Sequence, residues 1–226
     1  MSEGPTRLSS LQMSKRVKLL VLIFLSFVVL FFTFFRIHNV GSEAMLPTLA
    51  PGDYVLVSRY AYAFSPPQRG DVVLFREPIG EGGFSIRRVV ATKGDMAEYA
   101  IKHIALNSRQ IETFAVGANE QKEIVEGLGE PSFPYQKVAL FRETLGEREH
   151  LGARDVGPFK PKNWGPFPVA PSQVIALGDY RDSSTDSRNY GPVSLGNLRG
   201  KVLWILWSFR TDTGALNTSR SGRKVD

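Results

Sequence analysis

Hydrophobic and polar positions divide the chain into three kinds of stretch. Leu19 to Phe35 is an uncharged run, LLVLIFLSFVVLFFTFF. Its seventeen residues sit at the short end of what crosses a bilayer as one helix. Beyond it the apolar residues come in short β-branched and aromatic groups cut by Gly and Pro: YVLVSRYAY, DVVLF, FSIRRVVAT, QVIAL and VLWILWSF. These groups predict strands. Between residues 96 and 165 the pieces EYAIKHIALN, RQIETFAV and KVALFRETL alternate with turn residues and predict ribbons added to the main core. The predicted organisation is a basic segment 1–18, an anchor 19–35, a β core from 36–95 and 166–210, an inserted β-ribbon domain 96–165, and a polar basic tail 211–226. The fold class is mainly β, antiparallel, with one N-terminal transmembrane helix.

Charge then orients the anchor. Lys15, Arg16 and Lys18 precede the apolar run and only Arg36 follows closely, which holds the N-terminus on the cytoplasmic side. A cleavable signal peptide is the rival reading. Arg36, Ile37, His38 and Asn39 offer no small-residue processing site, so the run is read as retained. The formal charge of +6 suits an anionic lipid surface. No basic run interleaved with aromatics points to nucleic acid. Cysteine is absent, which excludes disulfides and thiolate metal sites. His38, His103 and His150 lack metal-ligand spacing. No metal or cofactor is expected.

Candidate chemistry lies in four boxes that follow the anchor in order: Gly41 to Asp53 (GSEAMLPTLAPGD), Gly70 to Phe75 (GDVVLF), Ser85 to Asp95 (SIRRVVATKGD) and Gly178 to Gly191 (GDYRDSSTDSRNYG). Together they resemble the type I signal peptidases, serine/lysine endopeptidases that remove signal peptides from exported preproteins. The corresponding family motifs read S-x-S-M-x-P-T-L, K-R-V-x-G-x-x-G-D and G-D-N-R-D-N-S-x-D-S-R-x-x-G. The resemblance implies antiparallel sheets around a hydrophobic groove, with a smaller inserted β domain. It also implies a mechanism in which a serine hydroxyl attacks the peptide carbonyl and a desolvated, neutral lysine takes its proton.

Both reacting groups are substituted here. Ala44 stands at the nucleophile position and Arg87 at the base position. A methyl group cannot attack, and a guanidinium stays protonated. Glu43 occupies a position that is small in the family, and a pairing of Glu43 with Arg87 across the vacant site is expected. Ser42 matches the serine that helps form the oxyanion hole. As a substitute nucleophile it would sit about 6.6 Å away along a strand. Ser184 matches the serine that orients the base. Asp186 and Arg188 match a supporting ion pair, and Asp179 holds the loop. Met45 and Leu46 are expected to line the peptide groove.

The resemblance therefore implies a signal peptidase homologue in a bacterial cytoplasmic (inner) membrane, single-pass, with its main domain on the outer side. As written it cannot cut by the family mechanism and would act as a peptide-binding or assembly factor. Its partners would be the lipid bilayer and signal peptides or extended segments of exported proteins. The alternative is an active enzyme carrying inactivating changes or using a non-standard base.

Overall fold

The computed structural model describes residues 14–79, 82–100, 103–128, 137–157 and 163–225. Most of the expected basic segment, residues 1–13, lies outside them. Lys15–Phe34 form helix α1, and the window of mean hydropathy 2.7 makes it long and apolar enough to cross a membrane. The helix starts four residues before the expected anchor and takes in Lys15, Arg16 and Lys18. It ends at Phe34, because Phe35 already begins the first strand.

From Phe35 onward the chain is one compact unit. Its strands are β1 (Phe35–Asn39), β2 (Asp53–Ser58), β3 (Val72–Arg76), β4 (Phe84–Ala91), β5 (Met96–Ala100), β6 (His103–Leu106), β7 (Arg109–Gln110), β8 (Thr113–Ala115), β9 (Val138–Leu145), β10 (Arg148–Asp155), β11 (Trp164–Pro168), β12 (Gln173–Leu177), β13 (Val193–Ser194) and β14 (Leu198–Ser208). A curled seven-stranded sheet runs β1-β2-β14-β3-β4-β12-β13. Val55, Val57, Val72, Leu74, Ile86, Val202 and Ile205 fill one side of it, and Val73, Phe75, Val89, Val174 and Ala176 the other. This is the alternation that period-2 strands impose.

Residues 96–165 leave this sheet but share its packing. They build a four-stranded sheet, β11-β5-β6-β7, and a three-stranded one, β10-β9-β8. Tyr99, Ile104 and Leu145 nonetheless pack with Val90, Ala91, Ile175 and Leu177 of β4 and β12. The ribbons also contain a helix that the strand pattern does not predict, α2 (Ala118–Leu128). A third, single-turn helix, α3 (Ser187–Tyr190), lies in the last box.

The polar basic tail is built into the body. Val225 joins the core cluster of Val40, Met45 and Ile205. The Ile205 amide donates to the Arg223 carbonyl at 2.7 Å, and the Val225 amide to Leu203 at 2.9 Å. Asn217 Nδ2 donates to the carbonyl of Leu128 at the end of α2 at 2.7 Å. The tail thus covers part of one edge of β14 and ties α2 to the sheet.

Candidate active site

The first box is a closed loop. The Val40 amide donates to the Asp53 carbonyl at 2.8 Å, and the Gly52 amide to Val40 at 2.9 Å. Inside the loop Glu43–Met45 form one 3-10 turn, preceded by extended Ser42 (φ −132°, ψ 155°). Ser42 is exposed, whereas Ala44, Met45 and Leu46 are buried. The Ala44 carbonyl accepts from the Tyr180 amide at 3.0 Å. That bond joins the first box to the last. Gly178 is required beside it, because a Cβ there would strike both Ser184 Oγ and the Ala44 carbonyl oxygen.

Met45 and Leu46, adjacent in sequence, go to different places. Met45 packs with Val40, Leu49 and Ile86. Leu46 packs with Leu128, Val138, Leu140 and Tyr180. Fully buried, Leu46 fastens the box to the ribbons and α2.

The second layer is a set of buried arginine–carboxylate pairs. Arg88 grips Asp179 with Nε at 2.9 Å and Nη2 at 2.8 Å, and Thr48 Oγ1 donates to the same carboxylate at 2.5 Å. Burial by itself would raise the Asp179 carboxyl, but the Arg88 charge and these hydrogen bonds hold it below the usual range. Arg181 binds Glu143 of β9 with both terminal nitrogens, at 3.0 and 2.5 Å. Asp186 caps α3, accepts from the Gly178 amide at 3.0 Å and pairs with Arg188 at 2.9 and 2.7 Å. Asp186 and Arg188 thus form an ion pair, and Asp179 joins its loop to Arg88 and Thr48.

His150 completes this layer. It is buried, with Nε2 3.4 Å from Glu143 and 3.9 Å from Asp179. Burial and the nearby Arg88 push it below the usual histidine range, against the pull of the two carboxylates. It supports the network and does not occupy the base position.

Arg87 sits on β4 with 6% of its surface exposed. Its Nε and Nη2 donate to the Thr185 carbonyl at 3.1 and 2.8 Å, and Nη1 donates to the Ile86 carbonyl at 2.6 Å. Among the described residues no carboxylate lies within ion-pair distance of it. The expected Glu43–Arg87 pair is not formed, because the carbonyl of Thr185 takes the guanidinium instead. Ser184, next to that carbonyl, is buried with its hydroxyl unpartnered. Ala44, Gly178, Ser184 and Arg87 therefore converge through the Ala44 and Thr185 carbonyls, although they lie far apart in sequence.

Two groups that matter were not legible as site residues. Arg220 in the tail donates to buried Asp53 and also to the Thr48 carbonyl at 3.0 Å. Glu143 anchors Arg181. The run FRETLGE containing Glu143 was the one available signal.

The family described as signal peptidase, peptidase S26, matches residues 13–207. The chain belongs to that family. It is 28% identical over 208 residues to signal peptidase I of Pseudomonas aeruginosa, covering 81% of this chain and 69% of the relative. It is 28% identical over 194 residues to signal peptidase I of Aquifex aeolicus, covering 76% and 75%. It is also 28% identical over 174 residues to the mitochondrial ATP-independent inner membrane protease subunit 1b of Arabidopsis thaliana, covering 76% and 70%.

Proposed function

We propose that this chain is a membrane-anchored signal peptidase homologue that binds extended peptide segments and does not cut them. The observation that carries the reading is the pair of groups at the reacting positions. Ala44 offers a methyl group, and Arg87 offers a guanidinium already bonded to the Thr185 carbonyl. Neither a nucleophile nor a base can be made from them. Ser42 is exposed, and the buried imidazole of His150 lies against Glu143, so neither supplies the missing pair.

A peptide lane is nevertheless available. β1 is an end strand, paired with β2 on one side. β12 meets β4 only at Arg88, Val89 and Ala91, leaving Phe84–Arg87 of β4 beyond its reach. The curl of the sheet brings these two edges together, with the His38 and Phe84 rings edge to face at 6.2 Å. A strand added between them would run past Val40, Met45 and Ile86 toward Ala44. Small side chains of a signal peptide suit that lane.

In this reading α1 is the anchor, Lys15, Arg16 and Lys18 keep its start cytoplasmic, and the β body lies on the outer face of a bacterial inner membrane. The purified chain in detergent should bind a fluorescent signal peptide saturably and leave a reporter preprotein uncut. Cleavage of the reporter at its signal-peptide junction would overturn the reading.

A further inference from the structure

Among the described residues, four enclosed arginines each face a carboxylate. Arg88 faces Asp179 at 2.8 Å, Arg181 faces Glu143 at 2.5 Å, and Arg220 faces Asp53 at 2.5 Å. Arg188, with its side chain only 3% exposed, faces Asp186 at 2.7 Å. Arg87, 6% exposed, is less enclosed than these, and its hydrogen bonds go only to the carbonyls of Thr185 and Ile86. Arg154 also lacks a carboxylate partner and keeps Nε and Nη2 buried without a hydrogen bond, but it is half-buried and lies over the Phe141 ring at 4.0 Å. Burying a guanidinium without a counter-charge is costly, and carbonyl dipoles neutralise nothing.

Donors remain for an anion. A guanidinium carries five N–H groups, and Arg87 spends three on the two carbonyls. Ser184 adds a hydroxyl that is buried and has no partner. A Cβ placed on Gly178 would meet both this hydroxyl and the Ala44 carbonyl oxygen, toward which the proposed lane runs. An internal peptide bond arriving there would offer one neutral oxygen. A chain terminus would offer two oxygens and the missing negative charge.

Resting on the peptide-binding reading above, we propose that Arg87 and Ser184 receive the free C-terminal carboxylate of a peptide ending in a small residue, so that the site holds cut signal-peptide ends in preference to uncut chains. A fixed cation in place of a neutral base would convert the position from one that opens a peptide bond to one that reads its absence. Charge-assisted, two-oxygen recognition of this kind is the strong form of hydrogen bonding to arginine.

Three labelled peptides test this on the full chain in detergent: one ending in Ala-X-Ala with a free carboxylate, the same peptide amidated, and one continuing past the alanine. The free acid should bind about ten-fold more tightly than the other two, the ratio expected for a charge-assisted pair. Arg87→Gln should remove the difference between acid and amide. Arg87→Lys, which keeps the charge, should retain part of it and guards against misfolding of the glutamine variant. Equal affinity for acid and amide overturns the proposal while the peptide-binding reading stands. Competition by acetate as strong as that by the peptide acid overturns it as well. Failure of all three peptides to bind overturns both.

Discussion

Arg220 reaches Asp53 with Nε at 3.0 Å and Nη2 at 2.5 Å, both side chains fully buried and 167 residues apart. The same guanidinium holds the Thr48 carbonyl, and Asp53 accepts from the Ala50 amide at 2.8 Å. The tail therefore fixes the loop that carries Ala44 at Thr48 and Asp53, as Tyr180 does at Ala44.

Arg220→Ala should accordingly destabilise the protein by about 3 kcal/mol or more, because it leaves Asp53 charged and unpaired in the interior. A thermal melt in detergent should fall by roughly 6 °C or more for a body of this size. A shift below about one degree would mean that the tail merely rests on the loop.

Acid should weaken the fold in two stages. Burial and Arg88 lower His150, so between its folded value and the unfolded value near 6.5 only the unfolded chain takes up the proton. Stability is then full above about pH 6.5 and falls as pH drops below it. Glu143, Asp179 and Asp186 are held below the usual carboxyl range: burial opposes this, and the charges of Arg181, Arg88 and Arg188 outweigh it. Their contribution lasts until about pH 4 and is lost below it. Urea midpoints across pH 3 to 8 should show both losses, and His150→Gln should flatten only the upper one. An unchanged upper slope in that variant would contradict the placement of His150.

Gly178→Ala should cost about 1–3 kcal/mol, since its methyl would meet Ser184 Oγ and the Ala44 carbonyl at once. The comparison to make is with Gly117→Ala, where nothing lies in the way. Equal melts for the two variants would show that the first and last boxes are not in register as described.

How much of this was legible in the sequence varied with what buries each segment. Gln173–Leu177 was read to the residue, because an apolar run between turn residues has little else to become. The attachment of the tail left no sequence signal, since Asn217 and Arg220 are buried by hydrogen bonds and an ion pair, which leave no hydrophobic pattern. Helix α2 escaped notice among ribbon strands; its sequence ANEQKEIVEGL carries Gly127 in the last turn and only a thin apolar stripe, of which Ile124, Val125 and Leu128 pack inward. Met45 and Leu46 could not be separated by period, since a 3-10 turn and the bend after it aim neighbours at different clusters. The Glu43–Arg87 pairing was a charge argument. It lost to the Thr185 carbonyl, whose position depends on Asp186 capping α3 from the same loop.

The groups around the reacting positions remain, so repair should be achievable. On the proposed reading, Ala44→Ser with Arg87→Lys supplies a hydroxyl and an amine that can lose its proton when buried. Neither change alone should suffice, because the two groups act as a unit. Glu43 would favour the charged amine, so the double variant should work best at raised pH, and adding Glu43→Gly should move its activity toward neutral.

The most direct measurement is therefore a preprotein cleavage assay in detergent across pH 6 to 10, run side by side on the unmodified chain and the triple variant Glu43→Gly, Ala44→Ser, Arg87→Lys. The account predicts no cut from the unmodified chain at any pH and a cut at the signal-peptide junction from the triple variant. Cleavage at the junction by the unmodified chain would contradict it, as would a folded, peptide-binding triple variant that cuts nothing.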